Sequence, residues 1–153
     1  MASVKFSRSL KTIGDCCFTN CPLLTKVDLL NSRDLKSIGE QIFRSCSSLR
    51  SINFPRNLTS IGNTAFGYCS SLTSVTFPSS LSTIGEYAFD DCLNLSSITW
   101  DAWNGNTTLQ HSSFSSVCPD GGTVTVTNPD GYNSAALFEY LKQNGGLPES
   151  WHI

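Results

Sequence analysis

Apolar residues recur along this chain in a fixed order that returns every two dozen positions. Leu10, Leu35, Leu58 and Leu81 each open a unit. Ile13, Ile38, Ile61 and Ile84 follow three residues later, each with a glycine directly behind it: Gly14, Gly39, Gly62 and Gly85. Next come Phe18, Phe43, Phe66 and Phe89, then Cys21, Cys46, Cys69 and Cys92, then Leu24, Leu49, Leu72 and Leu95. The unit ends in strict alternation: Val27, Ile52, Val75 and Ile98 are each separated by one polar residue from Leu29, Phe54, Phe77 and Trp100. The openings lie 25, 23 and 23 residues apart. Self-similarity at this period predicts one supersecondary unit per repeat, unable to bury its apolar residues until neighbours stack on it.

Period-two stretches such as "LTSVTF" predict half-buried strands. "EYAFDDC" predicts a short helical turn whose N-terminus is complemented by the acid after the glycine. A glycine in a fixed column predicts a positive φ or a close backbone approach between coils. Pro55 and Pro78 fall where strands should end. A fifth, eroded copy follows: Leu109 matches the Ile column, Phe114 the Phe column, and Cys118 arrives one residue late. Val124 and Val126 take the places of Ile98 and Trp100, which makes "WDAWNGNTT" an insertion loop. At the other end Val4 and Phe6 match Ile52 and Phe54, so the chain opens in mid-repeat and further coils are expected upstream. After Thr127 the pattern stops. "NPDGYNSAALFEYLKQNGG" predicts a turn, then a helix with Ser134 as N-cap, Ala135 to Gln143 as body and Gly145 as stop. Leu137, Leu141 and Phe138 would share the face that covers the last coil.

The motif I-G-x-x-A-F-x-x-C-x-x-L-x-x-I-x-F-P, nearly complete in "IGNTAFGYCSSLTSVTFP", resembles the BspA-like class of leucine-rich repeat over about residues 4 to 127. The resemblance implies a surface or secreted protein of bacteria or parasitic protists, a role in adhesion or protein binding, and no catalysis. With the periodicity it implies a right-handed leucine-rich-repeat solenoid of about five coils over residues 1–127, and a C-terminal helical cap over 128–153. Three departures stand out: Cys17 replaces the usual Ala, "LLNSRD" inserts two residues, and the fifth copy is degraded.

Composition adds a charge split. Nine of the ten Lys and Arg lie at or before Arg56, giving that part about +5, while the remainder carries about −7. The net charge of −2 argues against nucleic acid as partner. No apolar run approaches a membrane span, and "MASVKFSRSL" has no apolar core of a signal peptide. Ser and Thr make up about a quarter of the chain and suit strands and turns.

The seven cysteines raise the question of chemistry. Zinc needs two close Cys pairs or added His. Cys16, Cys17 and Cys21 form one crowded group, and the histidines are His111 and His152. Stacked rungs lie roughly 4.8 Å apart, whereas disulfide Cβ atoms approach to about 3.8 Å, so bridging within the column is strained. The column is therefore expected to be small, buried, reduced core filling, with freer geometry at Cys16 and Cys17. Cys118 and His111 fall on either side of Phe114, and adjacent Asp90 and Asp91 cannot face each other, so neither pair reads as catalytic. No cofactor is implied.

Two surface rows remain. Between the buried strand positions lie Lys5, Asp28, Asn53, Thr76, Thr99 and Thr125, and before them Lys26, Ser51, Ser74 and Ser97. They form the outward sheet face, either a docking surface for a protein such as a host matrix or surface protein, or a merely solvated sheet. Lys11 and Lys36 share a second column, and Arg8, Arg33 and Arg56 another. This basic stripe would steer acidic protein faces or acidic glycans, unless it is a solvated edge. Asn57, Asn94 and Asn106 begin sequons that matter only in a secreted eukaryotic protein. The expected role is a non-enzymatic binding module at the cell surface or outside the cell. Its rivals are a ligand-free spacer and an intracellular scaffold, and an uncovered first coil would favour end-to-end self-association.

Overall fold

In a computed structural model, residues 2–127 and 133–153 are described; the turn expected at 128–132 lies outside them. The chain is a parallel-sheet solenoid of about five turns with one C-terminal helix. The long strands are β1 (Ala2–Lys5), β2 (Leu24–Asp28), β4 (Ser51–Asn53), β6 (Ser74–Phe77), β8 (Ser97–Asp101) and β10 (Thr123–Thr127). Two-residue strands β3 (Ser37–Ile38), β5 (Ser60–Ile61), β7 (Thr83–Ile84) and β9 (Thr108–Leu109) build a second sheet from the Ile columns. All pairs are parallel and, apart from a register shift between Ala2 and Ser3 in β1, keep the sequence columns aligned, for example Val75 on Ile98 and Ile61 on Ile84. The long-strand ladder divides into β1-β2-β4 and β6-β8-β10, with a break between β4 and β6.

The expected helical turn does not form. In each coil, alternate N–H groups of the segment around the Phe point to the next coil instead of back along their own chain. Gln41, Phe43 and Ser45 donate to the carbonyls of Asn63, Ala65 and Gly67, and Thr64, Phe66 and Tyr68 to those of Glu86, Ala88 and Asp90. This requires left-handed backbone at two positions per coil, among them Gln41 and Ser45, Thr64 and Tyr68, Tyr87 and Asp91. Each such non-glycine residue costs on the order of 1 kcal/mol; an extra inter-coil bond offsets it. Asp90 and Asp91 are thus not a helix end; Asp90 accepts from the Ser115 hydroxyl at 2.5 Å. The acid or amide after the glycine also serves stacking: Asp15 accepts from the Glu40 N–H (2.8 Å) and Asn63 from that of Glu86 (2.9 Å).

Stacking is visible in the core. Phe18, Phe43, Phe66, Phe89 and Phe114 form one column with successive centroids 5.4, 5.4, 5.1 and 5.3 Å apart and planes within 18°. Phe54, Phe77 and Trp100 form a second column, meeting the first edge-on. Such contacts add about 0.5–1.5 kcal/mol each beyond burial. The first coil is less covered: Val4, Phe6, Leu10, Ile13, Phe18 and Cys21 are only partly buried.

Helix α1 (Ser134–Gly145) packs on β9 and β10, burying Leu137 and Leu141. Its N-cap is Asn133, whose side chain accepts from the Ala136 N–H, not Ser134. The Ser134 hydroxyl instead accepts from the Val126 N–H (3.0 Å) and ties the helix to β10. The helix runs through Gly145 and stops at left-handed Gly146. The Gly145 carbonyl takes the Phe114 N–H (2.7 Å), the bond a sixth coil would otherwise accept. Phe138 is half-buried, with the Lys142 ammonium 5.5 Å over its ring.

Of the two alternatives for the glycine column, close approach holds and positive φ does not. A Cβ on Gly62 would lie 2.8 Å from the Glu40 nitrogen and the Gly39 carbonyl carbon, whereas on Gly14 it would meet only the Cys17 sulfur at 3.4 Å. Gly62→Ala should therefore cost about 1–3 kcal/mol by overpacking, while Gly14→Ala should stay within about 0.5 kcal/mol. Denaturant unfolding of the two variants measures this contrast.

Candidate functional site

The outward sheet face is where the alternation places it. Val27, Ile52, Val75, Ile98 and Val124 are buried while the residues between them face solvent. Lys26 stands beside Ser51 and Asp28 beside Asn53; across the break, Ser74 stands beside Ser97 and Thr76 beside Thr99, with Thr125 next. On the other faces, many of the same residue types are occupied in bridging coils, though among the described residues Ser37, Ser60 and Thr83 are not. Thr59 and Ser82 donate to the carbonyls of Lys36 and Thr59, Asn57 to Arg33, Asn94 to Ser70, and buried Thr107 and Ser113 to Leu81 and Gly85. Among the described residues, the side chains of Ser51, Asn53, Ser74, Thr76, Ser97 and Thr99 make no hydrogen bond. They alternate with buried residues along their strands, so they lie on the solvent side of the sheet.

The basic stripe is also exposed. The register that pairs the Cys16 N–H with the Glu40 carbonyl sets Lys11 level with Lys36. Arg33 and Arg56 line one groove of about 470 Å³ with Leu30, Asn31 and Asn57; Arg8 is exposed but does not line it. Among the described residues the ion pair is Lys142 with Glu149 (2.6 Å), and none of the five cations of the stripe has such a partner.

The cysteine column is core. Cys46, Cys69 and Cys92 are fully buried, and each thiol donates to the phenylalanine carbonyl of the coil before it: Phe18 (3.1 Å), Phe43 (3.2 Å) and Phe66 (3.1 Å). Cysteine fits here because it combines apolar bulk with one weak donor. Burial pushes the Cys46 thiol up to about 11, and pushes Cys69 and Cys92 higher still. In the eroded copy, Val117 fills this column. Cys118 therefore does not replace a core residue: it is half-buried beside the column and donates to the Gly121 carbonyl (3.1 Å). His111 packs edge-on to Tyr87. Cys16 and Cys17 are exposed. Among the described residues, no group of three or more His, Cys, Asp or Glu could hold a metal ion.

Two features escaped the sequence. Tyr68 and Tyr87 are exposed on the turn face, with the Arg44 guanidinium 5.1 Å over the Tyr68 ring. Their signal was an aromatic in columns otherwise filled by small or polar residues. Leu30, one of the largest exposed apolar side chains, comes from the two-residue insertion.

The BspA type leucine rich repeat region family matches residues 1–120 in six copies. The chain belongs to that family. No curated protein matches it. Among solved structures, a leucine-rich-repeat protein of T. pallidum superposes with a TM-score of 0.55 at 21% identity, over 92% of this chain and 79% of that one. A leucine rich cell surface protein of Faecalibacterium prausnitzii A2-165 aligns with a TM-score of 0.43 at 21% identity, over 79% of this chain and 44% of that one. The T. pallidum protein shares the fold. Among the described residues, no helix is long and apolar enough to cross a membrane.

A raised thiol pKa means the folded state holds its proton above the pH at which the unfolded chain loses it. Stability from this source is intact below the ordinary thiol value of 9.0 and falls as pH rises from there towards the folded value, about 11 for Cys46. Urea unfolding between pH 8 and 10.5 should show this decline, and Cys92→Ala should make it shallower. Thiol alkylation at pH 8 should label Cys16 and Cys17 within minutes and the three buried cysteines only on unfolding.

Proposed function

We propose that the chain is a non-enzymatic protein-binding module of a cell-surface or secreted leucine-rich-repeat protein, docking its partner on the outward sheet face and the adjoining basic coils. The observation that carries this reading is the division of labour among hydroxyl and amide side chains. On the other faces many of them are spent on holding coils together; on the sheet face Ser51, Asn53, Ser74, Thr76, Ser97 and Thr99 stand in rows, at least partly exposed and unbonded among the described residues, while Thr127 at the edge bonds Asp101. A row of free donors and acceptors on a rigid sheet is a surface that a protein can meet without rearrangement. The charge split adds long-range attraction for an acidic partner at the N-terminal coils. The surface or secreted location is supported by the family.

The rival reading, a spacer with no ligand, predicts indifference to changes on these faces. Thr76→Arg with Thr99→Arg, and separately Lys11→Glu with Lys36→Glu, alter exposed side chains and the half-buried Thr99, all outside the core, and should leave the thermal midpoint within about 2–4 °C. Capture of purified extracellular-matrix proteins and of heparin on immobilised wild-type and variant protein is the test. Binding should weaken at least several-fold in both variants. Binding untouched by either substitution, or no binding by the wild type, would overturn the reading.

A further inference from the structure

The sheet face has one place unlike the rest. The unit that follows β2 carries the two-residue insertion. There Leu29 continues the buried column, and Leu30 turns out into solvent at 53% exposure. Leu30 is held there from both sides: the Asp28 carboxylate accepts its N–H (3.1 Å), and two residues on, buried Ser32 donates to the Ser7 carbonyl (3.1 Å). It sits in a turn whose backbone is anchored on both sides, and so stands as a ledge.

The ledge stands between two adjoining grooves. On the sheet side, about 270 Å³ opens over Ser51, Asn53, Ser74 and Thr76, with Ile52 and Phe54 in its floor. This groove lies where the long-strand ladder breaks. Just before the break, the Thr73 N–H reaches the Arg50 carbonyl at 3.5 Å, against 3.0 Å for the equivalent bonds of Arg50 to Thr25 and Ser96 to Thr73. The strands are eased apart there, and Ile52 and Phe54 keep 5% and 6% exposure where Phe77 and Ile98 have none. On the other side of Leu30 lies the larger groove of Arg33 and Arg56. The Asn57 amide holds the Arg33 carbonyl at 3.0 Å, and both guanidinium groups lack an ion-pair partner among the described residues.

Apolar floor, apolar ledge, exposed polar rim and paired cations therefore meet within one stretch of surface. We propose that this ledge docks an extended peptide segment of a protein partner in which an Asp or Glu neighbours an apolar side chain. The carboxylate spans Arg33 and Arg56, for which guanidinium forks are suited. The apolar side chain lies against Leu30 and Phe54, and the peptide groups meet the Ser and Asn side chains of the rim. The Asp28 carboxylate, at the strand end under Leu30, sets the direction by disfavouring a second acid on the sheet side. An acidic glycan shares the arginine chemistry but has no use for the leucine ledge. The proposal rests on the sheet face being a protein-docking surface and narrows it to one place and one chemistry.

The test uses the whole chain and three probes: a pool of hexapeptides with a fixed Glu-Leu or Glu-Phe pair, the same pool with Gln for Glu, and a heparin octasaccharide. Amide chemical shifts report the place of binding and titrations the strength. The acidic pool should shift Leu30, Asn31 and Asn57 and bind about tenfold more tightly than the Gln pool. Arg33→Gln with Arg56→Gln should abolish that preference, and Leu30→Ser should weaken binding about fivefold, all with unchanged unfolding midpoints since these side chains are exposed. Equal binding of both pools, insensitivity to these substitutions, or shifts from heparin alone would overturn the proposal. Peptide binding mapped to Thr76 and Thr99 but not to Leu30 would overturn it while leaving the broader docking face intact.

Discussion

Each coil of this protein is too short to satisfy its own backbone. The strands need a neighbour for their N–H and C=O groups, and so do the turns around each phenylalanine, because alternate N–H groups there point out of their own coil. An unpaired backbone group in such a core would cost about 1–3 kcal/mol, and several per coil would offset a large part of what stacking the side chains returns. The inter-coil hydrogen bond is therefore the constraint from which the rest follows. It locks position i of one coil beside its counterpart in the next, turns sequence columns into physical columns, and leaves no room for a Cβ at Gly39, Gly62 or Gly85. It also explains the end of the solenoid. The helix does more than cover Phe114 and Leu109, since its last carbonyl accepts the N–H that the final coil still offers.

The same constraint divides the surface. On the two-residue-strand side and around the turns, short polar side chains reach back one rung and take up carbonyls. The cysteine thiols do the equivalent inside the core, which is why a column that could hold alanine or valine holds a residue with a donor. The eroded fifth copy, where Val117 stands in that column, shows that packing alone can fill the place. On the long-strand side few side chains bridge coils, Thr25 to the Ala2 carbonyl and Thr127 to Asp101 among them, and the rows from Ser51 to Thr99 make no such bond among the described residues. That freedom leaves these rows available for the docking proposed for them. The insertion at Leu30 and the break beside Ile52 and Phe54 are where the regular surface acquires a shape.

Much of this was legible in the sequence because a repeat reports its own alignment. The columns, the alternation of strands, the buried cysteines and the residues of the outward face all follow from counting. The local conformation around each phenylalanine did not, for a definite reason. "EYAFDDC" has the composition of a helical turn, and nothing within seven residues reveals that Tyr87, Phe89 and Asp91 donate to His111, Ser113 and Ser115 a coil away. The helix start was misplaced by one residue for a similar reason. Asn133 and Ser134 are both good caps, and only contact with β10 assigns Ser134 to Val126 and leaves the capping to Asn133.

By itself the sequence determined that this chain is a stack, which residues form each layer and which side of each strand is wet, because periodicity is a property of the chain alone. Tertiary structure decided the direction of hydrogen bonds in the turns, the donor role of the thiols, the break in the sheet and the meeting of Leu30 with Arg33 and Arg56. Those depend on what lies some 23 residues away across a rung, a distance that is short in space and invisible to any local pattern.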